Sequence, residues 1–154
     1  MLIGILVAVA VLLAVVAVLR WKRRANACSR RVSDADGERI RLYYGGVLCE
    51  ALTTSGLLVR LEILDWGVRL TGSIWSRWLV PTWEARFDEL AIAERVATPF
   101  SRIAVWFRLR DEAGGIGFLS DMTEDILRVL EQHEVPVNRS VAQIRKVAEL
   151  YRTP

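Results

Sequence analysis

Every residue from Leu2 to Leu19 is apolar or Gly, with no charge and no polar side chain. A helix rises about 1.5 Å per residue, so this run would extend roughly 27 Å, close to the thickness of about 30 Å of a bilayer's hydrocarbon core. The next charges are all positive: Arg20, Lys22, Arg23, Arg24, Arg30 and Arg31 precede the first acid. A cleaved export signal places its cations before the apolar run, whereas Met1 to Gly4 hold none. Ala25, Asn26 and Ala27 match a small-x-small cleavage pattern, but the charge order is reversed, and Cys28 lacks the apolar residues that precede a lipoprotein cysteine.

The expectation is therefore a single transmembrane helix over residues 1–19 and a basic juxtamembrane segment with linker over 20–37. Basic residues stay on the cytoplasmic side of a span, which predicts an inner-membrane protein with its N-terminus outside and its C-terminal domain in the cytoplasm. Arg20, Trp21, Lys22, Arg23, Arg24, Arg30 and Arg31 would lie at the membrane surface. Small residues four apart, Gly4 with Ala8 and Ala10 with Ala14, have the spacing that lets two membrane helices approach as a homodimer.

The basic cluster also accounts for the high isoelectric point. Six of the 21 Lys plus Arg lie between Arg20 and Arg31, which leaves 15 against all 18 acids in the rest of the chain. A domain with that acidic balance is a poor nucleic-acid binder, because phosphate contacts need a positive face. Cys28 and Cys49 have no paired spacing. In a cytoplasmic domain they read as two unbridged thiols.

Past the polar linker, residues 38–137 suit one domain. Residues 38–55 mix a strand-like alternation (Ile40, Leu42, Tyr44) with a helical spacing (Val47, Leu48, Ala51, Leu52), and both readings stay open. From Leu57 the pattern is β. Leu57, Val59, Leu61 and Ile63 share one face, Asp65 to Gly67 turn the chain, and Val68 and Leu70 return. Trp83, Ala85 and Phe87 alternate with charges, and Ile103, Val105, Phe107 and Leu109 alternate with Ala104, Trp106, Arg108 and Arg110. Gly114 and Gly115 turn into a last strand at Ile116 to Leu119. A helix follows, capped by Asp121 with Glu124 at the box position, with Ile126, Val129 and Leu130 on its apolar stripe. A second helix is expected over 138–154, starting at Ser140. These elements predict an α+β domain: a small, antiparallel, partly open β-barrel closed by a C-terminal helix.

With that order in view, WGVRLTG at 66–72, LVPTWEARFDELAIAERV at 79–96 and GFLSDMTEDILRVLEQHEV at 117–135 resemble the pleckstrin-homology-like (PH-like, GRAM-like) domains of bacterial membrane proteins. Pro81, Trp83, Asp88, Glu89 and Leu90 carry the match. The resemblance implies a barrel of about seven strands with a capping helix, and a role in binding headgroups, peptides or protein surfaces. The first hairpin loop, Asp65 to Gly67, lacks the Lys/Arg cluster with which PH domains hold phosphoinositides.

No catalytic constellation is legible. His133 is the only histidine and falls at a helix end. There is no metal-ligand spacing and no P-loop, so neither enzyme activity nor a cofactor is expected. Six tryptophans are the unusual chemistry. Trp78 and Trp83 are expected to pack inside, and Trp66, Trp75 and Trp106 to contact a partner or lipid. The functional expectation is a membrane-anchored binding module for a protein or peptide. The alternatives are a peripheral reader of anionic lipid and a barrel that carries an apolar small molecule.

Overall fold

The computed structural model describes residues 2–32, 37–49, 52–53, 58–74, 76–78, 80, 82–98, 102–112 and 114–143. Helix α1 (Leu2–Ala27) comes first, followed by strands β1 (Arg39–Cys49), β2 (Leu52–Thr53), β3 (Val59–Leu64), β4 (Gly67–Gly72) and β5 (Trp83–Arg86). A single 3-10 turn (Phe87–Glu89) separates β5 from β6 (Leu90–Ala97). Then come β7 (Ile103–Leu109), β8 (Gly115–Leu119), α2 (Thr123–Gln132) and β9 (Val137–Gln143).

The strands join in the order β5-β4-β3-β1-β8-β7-β6-β9, with β2 paired to β1. β1 resolves the ambiguity of residues 38–55, because it is long enough to serve both halves of the sheet. Arg39 to Gly45 pair with β3, and Gly46 to Leu48 pair with β8. The halves face each other across one core: Trp83 of β5 meets Phe107 of β7 at 6.0 Å between ring centroids. Leu61, Ile63, Val68 and Leu70 line one half, and Val105, Ile116 and Phe118 the other. Ile126, Leu127 and Leu130 of α2 are fully buried against them. At about 1.5–3 kcal/mol for each fully buried large side chain, these three make α2 part of the core.

α2 is capped differently from expectation. Its N-cap residue is Met122, whose backbone N–H donates to Ser120 Oγ, and Asp121 does not cap it. At the other end Glu134 adopts φ 61°, and Val135 N–H reaches back to the Leu130 carbonyl at 3.2 Å. That is a left-handed helix termination. His133 stands at this terminus and stacks on Phe87 at 4.5 Å, a packing role.

Three expectations are corrected. The barrel does not close, because the outer edges that would have to meet are occupied. β5 bridges Arg30, and β6 pairs in parallel with β9. The helix expected over 138–154 is instead a strand as far as Gln143; β-branched and polar residues there extend along the free edge of β6. Residues 144–154 lie outside the described ones.

The third correction concerns the membrane. Among the described residues, no helix is long and apolar enough to cross a membrane. The transmembrane helix expected over residues 1–19 is therefore withdrawn, and with it the inner-membrane placement. The cytoplasmic placement of the domain meets a second objection: Cys28 and Cys49 form a disulfide. Cytosolic thiols are kept reduced, so a bridge here speaks against that compartment.

Candidate functional site

A cleft of about 550 Å³ opens where β1 diverges from β8. Tyr44, Gly45 and Gly46 of β1 form one side, and Leu119 to Asp121 with Thr123 and Glu124 form the other, at the entry to α2. Arg95 of β6 with Arg102 and Ile103 close the end.

The divergence has a local cause. A Cβ at position 45 would lie 2.0 Å from the Leu119 carbonyl oxygen, so only Gly allows β1 to cross this close to β8 before the two separate. Tyr43 points inward from the same strand and donates a 2.7 Å hydrogen bond to the Asp125 carboxylate of α2. Burial first, and then that carboxylate, raise the Tyr43 phenol well above the usual tyrosine range. This bond ties α2 to β1 directly beneath the cleft. Its rim holds Arg95, bound to Glu124 at 2.8 Å, and Arg102, which is exposed and forms no ion pair among the described residues. Tyr44 is half exposed.

A second cluster is densely paired. Arg30 lies against β5: its N–H donates to the Thr82 carbonyl at 3.1 Å, and its own carbonyl accepts from Glu84 N–H at 2.9 Å. Its guanidinium forms a two-point ion pair with Glu89, at 2.8 and 3.2 Å, and contacts Glu112 at 3.2 Å. The hydrogen bond from Arg30 is the main cause that holds the Glu89 carboxyl below its usual range. Nearby, Arg69 pairs with the buried Glu84 at 2.7 Å.

Against these sites the expected contact residues redistribute. Arg30 is paired with Glu89 and Glu112 at the β5 edge. Arg20, Lys22, Arg23 and Arg31 are exposed, while the side chains of Trp21 and Arg24 and all of Trp75 lie outside the described residues. Trp106 is fully buried, contrary to expectation. It pairs across the ladder with Gly117, and Cβ atoms at Gly115 and Gly117 would come within 2.9 and 3.0 Å of its indole, so the glycines make its bed. Trp66 is half-buried over Gly37, with the Arg69 guanidinium 5.7 Å from its ring centre, within cation–π range. Trp78, expected inside, is 63% exposed. Arg102 and Trp78 lie in loops, where alternation carries no information, whereas Tyr44 lies within β1 on the alternating face it shares with the exposed Ile40.

Among the described residues no group of three or more His, Cys, Asp or Glu could hold a metal ion. No family model matches the chain, and no curated protein matches it by sequence.

Proposed function

We propose that the chain is a non-catalytic binding module of the PH-like kind, which seats a segment of a partner protein in the cleft between β1 and the start of α2. The observation that carries this reading is the cleft itself: a solvent-reached cavity of about 550 Å³ whose rim offers Tyr44 and Arg102, the residue types that dominate protein-interface hot spots. The seven antiparallel strands from β5 to β6 in the sheet path, followed in the chain by a core-packed helix, support kinship with the PH-like domains even though the sheet stays open.

A carrier of apolar small molecules fits this cleft less well, since Arg95, Arg102, Asp121 and Glu124 line it where such a site needs mostly apolar walls. The test is a photo-crosslinking amino acid placed at position 44 of the full chain in cells, with exposed Asp88 as the control position. A discrete heterologous adduct at 44 alone, lost in Arg102→Glu, supports the reading. No adduct, or an equal one at position 88, overturns it.

A further inference from the structure

The loop between β4 and β5 presents Ile74, 77% exposed, and Trp78, 63% exposed, with the exposed Arg77 between them. Exposed apolar side chains that are grouped, unlike ones scattered singly, mark interaction surfaces. The loop is not slack. Val80 N–H bonds the Ser76 carbonyl at 2.9 Å, Ser73 N–H bonds the Leu58 carbonyl at 2.8 Å, and the Ser76 hydroxyl also donates to Leu58. Leu58, itself exposed, is thereby drawn to the same tip.

The foot of α1 arrives beside this tip. Ser29 Oγ and Arg30 N–H both donate to the carbonyl of Thr82, four residues after Trp78. Arg23, six residues before Ser29, lies about 9 Å back along the helix, and Trp78 is at most about 14 Å from Thr82 along the chain. The exposed cations Arg20, Lys22 and Arg23 therefore lie within a few tens of ångströms of Trp78. Neither residues 2–32 nor residues 73–82 contain a single acid. The side chains of α1 from Leu6 to Leu19 are apolar and exposed, and a helix apolar on all sides is normally covered.

We infer that this end of the molecule, Ile74, Arg77 and Trp78 together with Arg20, Lys22 and Arg23, is a docking surface for an anionic lipid surface. Charge complementarity selects that occupant. A protein partner would have to be acidic and apolar at once over two separate segments, whereas lipid offers anionic headgroups above hydrocarbon, the arrangement that basic residues and Trp together match. None of Ile74, Arg77, Trp78, Arg20, Lys22 and Arg23 lines the cleft.

The test is fluorescence quenching of the full chain by brominated phospholipid in vesicles, neutral or carrying anionic headgroups, comparing wild type with Trp78→Phe and Arg77→Glu. Both side chains are exposed, so the variants keep the fold, which an unchanged melting temperature verifies. The expected result is stronger quenching on anionic vesicles, a loss of part of it in Trp78→Phe, and a weaker anionic preference in Arg77→Glu. Equal quenching of wild type and Trp78→Phe places the loop away from lipid and overturns the inference. So does quenching indifferent to headgroup charge.

Discussion

The β5 edge and the cleft are both lined by arginine and glutamate, yet they are built on different terms. At β5, Arg30 spends its guanidinium on Glu89, Glu112 and the Glu84 carbonyl, its backbone on Thr82 and Glu84, and its neighbour Cys28 is bonded to Cys49. Among the described residues of the cleft, Arg95 has an acidic partner on the rim, while Arg102 and Tyr44 are exposed. Saturated charges hold chain segments together; unsaturated ones at a concave surface are available to a ligand. The difference teaches that a cluster's residue types say little about its role until its partners are known.

The strongest way to break the comparison is to cut the covalent tie. Cys28→Ser should lower unfolding free energy by about 2–4 kcal/mol, as expected for a bridge across 21 residues, and reductant should reproduce the loss in wild type alone. Chemical unfolding with and without reductant measures both. Arg30→Ala comes next, at about 1.5–3 kcal/mol for lost charge-assisted hydrogen bonds.

The same variant predicts a pH signature. Because Glu89 titrates below its unfolded value, its contribution is present above the ordinary carboxylate range and disappears as pH falls through the folded pKa. The stability gap between wild type and Arg30→Ala should therefore narrow on acidification from pH 7 to about pH 3. A gap constant across that window would mean that the pair adds packing and no electrostatic linkage.

Tyr43→Phe should cost about 1 kcal/mol through the lost Asp125 bond. The raised phenol pKa means that this stabilisation is intact below the ordinary tyrosine range and is lost as pH climbs above it, so alkaline unfolding should distinguish the variant. The smallest effect sharpens the contrast most: Arg102→Ala should change stability by less than about 0.5 kcal/mol, since no described contact depends on it. A larger loss in its denaturation curve would make the cleft a second structural cluster.

Strand alternation was legible wherever one face meets the core. The hairpin of β3 and β4, the strand β7 and the helix stripe of Ile126, Val129 and Leu130 all stand where the pattern predicts. Trp106 escaped because its face of β7 is buried too, over Gly115 and Gly117 of a neighbouring strand, and a glycine bed on another strand leaves no local mark. β9 escaped for a similar reason. Residues 137–143 carry no strong period, and it is the free edge of β6, more than 40 residues earlier in the chain, that draws them into a parallel ladder.

By itself, the sequence determined the apolar first helix, the basic run after it, most strands and the core stripe of α2, because periodicity and charge order are local properties. The tertiary structure alone decided the rest: the Cys28–Cys49 bridge, the pairing of Arg30 with the β5 edge, the open sheet, the exposed Trp78 and the cleft. Each of these depends on which distant segments become neighbours, and that is set by the sum of edge pairing and burial over the whole chain.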